Sequence, residues 1–397
     1  MQDYNFLQQK YMLNTYPNRG ITLIKGEGVY LFATDGKKYL DMMSNYGVNM
    51  FGYNHPIITQ SLISQTKKLT NLHGSFNSDI RALAAKQLIE RCKNKFTQLY
   101  FANSGTEAIE AALKFIILAS KLTKGRSPSG RNKIIACENS YHGKTLGALS
   151  VTYGEKYRKP FEPFLPDVTF IKFGDPLSLE KAIDKNTAAF IVEPMQGEGG
   201  LNNPKKGYLE KIKKICVENN IILVFDEIQS GIGRTGKFLA SLWDNVTPDI
   251  LCLGKGLAGG FPIGVTLVNR SIASKISKNI HTSTFGGNPL TCAGILATLK
   301  LLDEKLLDHI KLMGDYFSNN LASIKSTLIA EVRGKGLMLG VKIKNNERNK
   351  VLKSLQSEMV LAIPSGEDVV RFLPPYIIEK KHIDDVIEKL EKVMRLL

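Results

Sequence analysis

Two stretches decide the fold: Ile221-Ile-Leu-Val-Phe225 running into Asp226-Glu-Ile-Gln229, and Ile250-Leu-Cys-Leu253 running into Gly254-Lys-Gly256. Each is a short, wholly apolar run that stops abruptly at a polar or glycine-flanked charged residue. Runs of about 4–8 such residues read as strands buried on both faces. Working outward, the pattern recurs at Leu99-Tyr-Phe101, Lys133-Ile-Ile-Ala-Cys137, Ala188-Ala-Phe-Ile-Val192 and Ile263-Gly-Val-Thr-Leu-Val268. Helical periodicity separates these runs from about residue 97 to 270. The alternation predicts an α/β fold whose mainly parallel sheet lies between helices.

The flanks differ. Residues 21–41 read as a hairpin, with Val29-Tyr-Leu-Phe32, a turn at Asp35-Gly36, and Lys38-Tyr-Leu40. Amphipathic stretches 293–326 and 382–396 bracket strand candidates at 336–343 and 369–373, which predicts a smaller α+β lobe. Thr123–Asn132 has the composition of an exposed connection. The 397 residues exceed the roughly 250–300 that one core usually serves, so more than one lobe is expected. The divisions are an N-terminal segment 1–45 joining the small domain, a large domain 46–280, and a C-terminal small domain 281–397.

Apolar residues make up 43% and charged residues 23% of the chain, as in ordinary globular proteins. That excludes a disordered chain or a fibre. No apolar run reaches the ~18 residues of a membrane span, so no membrane partner is expected. The polar N-terminus lacks the layout of a secretory signal. Five scattered cysteines, Cys92, Cys137, Cys216, Cys252 and Cys292, show no metal-binding spacing; they read as free thiols in a reducing cytoplasm, with no metal site. The balance of 53 basic against 37 acidic residues gives +16. Nucleic acid, an acidic carrier protein or anionic metabolites would suit that charge. No nucleic-acid motif accompanies it, so nucleic acid is not an expected partner.

Ligands of open α/β sheets gather at the carboxyl ends of the strands. After Leu99–Phe101 comes Ala102-Asn-Ser-Gly-Thr-Glu107, where Ser104 and Glu107 have capping-box spacing; the motif is either an ordinary helix start or an anion cradle. Asp226 and Glu227, straight after five apolar residues, need partners: a metal, a cationic cofactor nitrogen, or only the solvent at a strand end. Lys255, between glycines at a strand exit, is either a flexible loop residue or a Schiff-base lysine. Together, the cradle, the buried carboxylate and the lysine are the three anchors that pyridoxal phosphate requires. Gly231-Ile-Gly-Arg-Thr-Gly236 matches GxGxxG, and with Lys237 nearly a P-loop. Asp226–Ser230 intervenes between strand and first glycine, and Phe238 stands where the P-loop needs Ser or Thr, so both matches read as accidental. A nucleotide-binding protein using Gly231–Lys237 is the alternative of a different class.

With Ser140-Tyr-His-Gly143, Glu193-Pro-Met-Gln-Gly-Glu-Gly-Gly200, Ser283-Thr-Phe-Gly-Gly-Asn-Pro289 and Arg371-Phe-Leu-Pro-Pro375 in the same order, the sequence resembles the class III pyridoxal-phosphate aminotransferases of fold type I over nearly its whole length. The resemblance implies that Lys255 forms the Schiff base and shuttles the proton, while Asp226 pairs with the pyridinium nitrogen. It implies that Gln229 meets the phenolic oxygen and Tyr141 stacks on the ring, with His142 beside it. Ser104, Gly105 and Thr106 would bind phosphate together with Thr284 of a neighbouring subunit, which implies a homodimer. Arg371 would grip the α-carboxylate of glutamate, Glu198 would cover that arginine, and Ser283 would contact substrate. Lys144 stands where such enzymes acting on acetylornithine usually carry arginine; lysine keeps the charge and loses the two-pronged grip. The activity implied is transfer of the ω-amino group of N2-acetylornithine to 2-oxoglutarate, in arginine biosynthesis. Ornithine, 4-aminobutyrate, succinylornithine or a carrier-linked amino acid of lysine biosynthesis are the other donors of the class.

Overall fold

The computed structural model describes residues 3–121, 131–164 and 167–397. Most of the expected connection Thr123–Asn132, residues 123–130, lies outside them. The strands are β1 Leu23–Glu27, β2 Tyr30–Ala33, β3 Lys38–Asp41, β4 Gln98–Ala102, β5 Lys133–Cys137, β6 Val168–Ile171, β7 Thr187–Val192, β8 Ile222–Asp226, β9 Ile250–Gly254, β10 Gly264–Val268, β11 Ile329–Lys335, β12 Met338–Ile343, β13 Val360–Leu361, β14 Ile363–Ser365 and β15 Val369–Phe372. All six predicted central runs are strands, and they form one seven-stranded sheet ordered β4-β10-β9-β8-β7-β5-β6. Every pairing is parallel except those of β10, which runs antiparallel to both β4 and β9. Edge strand β6 was not expected; Val168-Thr-Phe-Ile171 is half-buried and too short to stand out as a run.

The sheet is covered on both faces, and alternate residues of one strand serve different layers. On β8, Val224 joins Ile109, Ile116 and Ile134 beneath the helix Gly105–Lys121, whereas Leu223 and Phe225 pack with Leu209 and Ile212 of the helix Tyr208–Glu218 on the other side. Full burial on both faces is why these strands lack polar alternation. Burying a Val, Leu or Phe side chain contributes about 1.5–3 kcal/mol, so this double layer dominates the stability.

The expected hairpin at 21–41 is a three-stranded meander, β1-β2-β3, to which β13 adds in parallel. The N-terminal strands are thus sewn to chain more than 300 residues downstream. A third sheet, β11-β12-β15-β14, is antiparallel. The amphipathic stretch 293–326 is two helices, Pro289–Leu301 and Glu304–Ser323. The break falls where Leu302 leaves helical geometry and the Asp303 carboxylate accepts the N–H of Leu306, starting a new helix. The first of the two packs against the helices Pro56–Thr66 and Asp79–Arg91 and the turn after β9. No helix among the described residues is long and apolar enough to cross a membrane.

Candidate active site

Because β4, β8 and β9 run in one direction, their carboxyl ends meet at one edge of the sheet. Antiparallel β10 brings Gly264 between them, opposite Ala102 and Gly254. A Cβ on Gly264 would lie 1.9 Å from the Ser104 carbonyl oxygen, so only glycine lets the strand approach the loop that starts the helix Gly105–Lys121.

At the β4 end, the Ser104 hydroxyl accepts the N–H of Glu107 (3.3 Å), as a helix cap does. Glu107 reaches back to the N–H of Asn103, one residue beyond the usual capping-box partner. The first two N–H groups of the helix, at Gly105 and Thr106, have no intrahelical acceptor, and the helix dipole favours an anion before them. The Thr106 hydroxyl is 2.8 Å from that of Thr145. Gly143 (φ +130°) passes so close that a Cβ there would lie 2.2 Å from the Thr106 hydroxyl. The loop after β5 and the start of the helix thus form one cradle.

At the β8 end the two acids part company. Glu227 turns into the core, where its carboxylate accepts the N–H groups of Ala240 (2.5 Å) and Ser241 (2.9 Å). Burial pushes its pKa up to about 7. Asp226 instead accepts the Ile228 N–H at Oδ1 (3.0 Å) and meets His142 Nδ1 at Oδ2 (2.7 Å). A carboxylate can only accept, so Nδ1 carries the hydrogen; the buried Nε2 has no partner in the protein. His142 stands behind Asp226 and orients it.

At the β9 end Lys255 adopts a left-handed backbone (φ +48°), uncommon for a residue with a Cβ and costing on the order of 1 kcal/mol. Following Gly256 gives the backbone room: a Cβ there would strike the Met50 side chain. Burial lowers the pKa of the Lys255 ammonium, Arg371 adds to that, and Glu198 and Asp226 oppose it. An amine is easier to deprotonate there than in water.

Above these ends lies a polar cluster. Arg371, fully buried on β15, donates from Nη2 to Glu198 Oε1 (2.7 Å) and to the Pro364 carbonyl (3.2 Å), and from Nη1 to Gln229 Oε1 (2.7 Å). Burial alone would raise the Glu198 pKa, but the charge and hydrogen bond of Arg371 outweigh it and hold the carboxyl below its ordinary value. Tyr141 is partly buried; its N–H donates to Glu193 Oε2 (3.3 Å), and burial, with Glu198 nearby, lifts its hydroxyl pKa to about 12. Ser283 accepts from Asn103 Nδ2 (3.2 Å) and from the Gly286 N–H (3.0 Å), while Thr284 is exposed. Lys144 is exposed too, its ammonium 4.7 Å from the Tyr157 ring centre.

Two residues beside the site went unassigned in the sequence. Glu193, at the end of β7, accepts from Gly197 and Tyr141, and burial with Asp226 close by raises its pKa well above the usual value. Its signal was the one that marked Asp226, an acid ending a buried strand. Tyr46 lies with its ring centre 6.0 Å from the Arg371 guanidinium. It sits in a turn where Ser44, Asn45 and Tyr46 all have positive φ, held by Asp41, whose Oδ1 accepts the N–H groups of Met43 and Ser44. Nothing in Ser44-Asn-Tyr46 marks that turn in advance. The GxGxxG stretch opens no helix: the chain turns through 231–236 and buries Arg234, which donates to the Leu337 and Pro374 carbonyls.

The residues at the three strand ends fit pyridoxal phosphate. Unsatisfied helix N–H groups match its phosphate, the oriented Asp226 its ring nitrogen, and the buried, easily deprotonated Lys255 its aldehyde. Residues 11–394 match the family Aminotransferase class-III. The chain is 40% identical over 389 residues to the acetylornithine aminotransferase of Aquifex aeolicus, covering 97% of this chain and 100% of that one. It is 40% identical over 386 residues to the LysW-aminoadipate semialdehyde/glutamate semialdehyde transaminase of Sulfolobus acidocaldarius, covering 96% of each. The crystal structure of the ornithine aminotransferase of Toxoplasma gondii superposes with a TM-score of 0.94 at 33% identity, covering 99% of this chain and 94% of that one. With strand-end geometry and family match in agreement, the chain belongs to the class III aminotransferases and is a pyridoxal-phosphate-dependent transaminase.

Proposed function

We propose that the enzyme transfers the δ-amino group of N2-acetylornithine to 2-oxoglutarate, giving N-acetylglutamate 5-semialdehyde and glutamate. The observation that carries this reading is the buried Arg371 closed by Glu198. A covered cation suits an ω-amino donor that brings no carboxylate to that spot, and an uncovered one suits the α-carboxylate of glutamate. Likeness to acetylornithine aminotransferases supports the donor.

Bound pyridoxal phosphate supplies an electron sink for the carbon that bears the amino group. The chain's own residues do the rest. Lys255 anchors the cofactor, and its Nζ then takes and returns the substrate proton, a task suited to an amine whose pKa burial has lowered. Asp226, oriented by His142, would face the ring nitrogen. Ser104, Gly105 and Thr106 would hold the phosphate, Tyr141 would lie against the ring, and Gln229, bonded to Arg371, would serve the phenolic oxygen. Lys144 attracts the donor's distal carboxylate, and Ser283 lines its path.

Thr284 would complete the phosphate site of a second copy, making a homodimer. Its exposed neighbour Phe285 and the exposed Ile63, Leu69 and Phe76 supply apolar surface for such an interface. For domains, the reading keeps segment 1–45, lobe 46–280 and lobe 281–397, with the helix Pro289–Leu301 lying on the large lobe. Five buried free thiols suit the cytoplasm. The alternative donor, an amino acid on an acidic carrier, is favoured by the +16 charge and the exposed Lys144 beside Lys156, each ammonium within 5 Å of the Tyr157 ring centre. A panel of ω-amino donors, each assayed with 2-oxoglutarate, tests the proposal: acetylornithine should give the highest kcat/KM. A preference for ornithine, 4-aminobutyrate or a carrier-linked donor would replace it.

A further inference from the structure

Two features play no part in transamination: Lys237, which ends the near P-loop stretch, and Trp243, the chain's only tryptophan. They meet at a cavity of about 460 Å³ between the end of the helix Asp79–Arg91, the loop 236–245 and the start of the helix Glu304–Ser323. Arg91, Lys93, Lys237 and Lys311 line it, against Glu304 as the one acid in the lining, and Lys311 is paired with Asp308 beside it (2.7 Å). The Lys237 ammonium lies 4.5 Å from the Trp243 ring centre, and that of Lys335, at the end of β11 and outside the cavity lining, 3.5 Å. One ammonium over an indole is a favourable contact. Two over the same ring repel each other; burial and the charge of Lys237 push the Lys335 pKa down against the smaller opposing effects of Asp244 and Asp315. Among the described residues, Lys93, Lys237 and Lys335 have no carboxylate within 4.0 Å.

The arrangement is built rather than loose. Lys237 Nζ donates to the Leu242 carbonyl (2.8 Å), and Trp243 Nε1 donates to the Thr235 hydroxyl (3.2 Å), so ammonium and indole are both held. Adjacent cations that outnumber the acids around them, with Lys93 and Lys237 in no salt bridge among the described residues, favour an anion carrying more than one charge. Lysine ammoniums act as compact point charges, which favour the anion of highest charge density, and pyrophosphate concentrates more charge in a smaller volume than a polycarboxylate. We propose that this cavity binds a compact, multiply charged phosphate anion of the pyrophosphate class, apart from the transamination centre.

Trp243 emission reports on the site directly. The holoenzyme would be titrated with sodium pyrophosphate at constant ionic strength. A saturable change with half-saturation below about 1 mM is expected, weakened about tenfold or more by the K93Q/K237Q pair. Lys93→Gln alone, at an exposed side chain of the cavity lining, should still weaken binding and serves if the double variant does not fold. Orthophosphate and citrate should each bind about tenfold more weakly than pyrophosphate. No saturation up to about 10 mM, unchanged binding in the lysine variants, or citrate binding as tightly as pyrophosphate would each overturn the assignment.

Discussion

Nη2 of Arg371 lies 2.7 Å from Oε1 of Glu198, and while the arginine side chain has no exposed surface, 30% of the glutamate's remains open to solvent. The cation is held on two further sides by Gln229 and Pro364, whereas the acid has open space beside it. Glu198→Ala should therefore slow the half-reaction with the ω-amino donor and spare or speed that with glutamate, changing their ratio about tenfold or more. Single-turnover absorbance of each half-reaction checks this, and equal losses in both would count against the gate. The stability cost should fall below the roughly 3–5 kcal/mol of breaking a fully buried pair, because Gln229 and Pro364 still accept from the guanidinium.

Lys255→Ala should abolish transamination and remove the visible absorbance of the lysine-linked cofactor. Turnover near the wild-type rate would assign the linkage to another lysine.

Asp226→Ala should leave cofactor bound through the phosphate cradle yet lower kcat by about a hundredfold or more, as loss of an electrostatic group at a reacting centre does. His142→Phe removes only the donor to Oδ2, so it should give a smaller loss of kcat with the cofactor spectrum perturbed. Equal, severe losses in both variants would mean that the histidine does more than orient the acid.

Glu227 gives a pH signature. Its pKa is about 7 in the folded protein against an ordinary 4.5, so between those values the native state holds the extra proton. Stability contributed by this group is present in full below about pH 4.5 and falls as pH rises through 7. Glu227→Gln should flatten that part of the decline in Tm between pH 5 and 8, while keeping an oxygen to accept from Ala240 or Ser241. An unchanged slope in a thermal scan series would place the titration elsewhere.

Lys144 offers its charge from an exposed position over Tyr157. Lys144→Ala should raise the KM for acetylornithine about tenfold, with kcat little changed, since only binding of the distal carboxylate is lost. Lys144→Arg should lower that KM or leave it alone. An alanine variant with unaltered KM would remove the carboxylate role and, with it, the case for acetylornithine over other ω-amino donors.

Much of this was legible in the chain because it rests on local patterns. A doubly buried strand must be continuously apolar, so Ile221–Phe225 and Ile250–Leu253 identify themselves, and the polar residues closing them mark the ligand edge. Strands whose burial is partial or whose pairing is remote did not: β6 is half-buried, and the two residues of β13 become a strand only because β3 lies beside them. The helix break at Leu302–Asp303 was written in a capping aspartate but masked by the leucines that continue on both sides of it, Leu299, Leu301, Leu302, Leu306 and Leu307.

What the sequence by itself determined is the set of strand ends and the residues placed on them: Ser104, Asp226 and Lys255 follow their strands by covalent connection. What only the tertiary structure decided is the physical means by which Asp226, already singled out by the family resemblance, faces the site while Glu227 does not. Asp226 and Glu227 are indistinguishable as neighbours after Phe225. Pleating sends one carboxylate to His142 and the other to the N–H groups of Ala240 and Ser241. The closure of Arg371 by Glu198 likewise joins residues 173 positions apart. Such pairings depend on chain approaches that no local spacing encodes, because a buried charge takes whatever partner the folded backbone brings within hydrogen-bond reach.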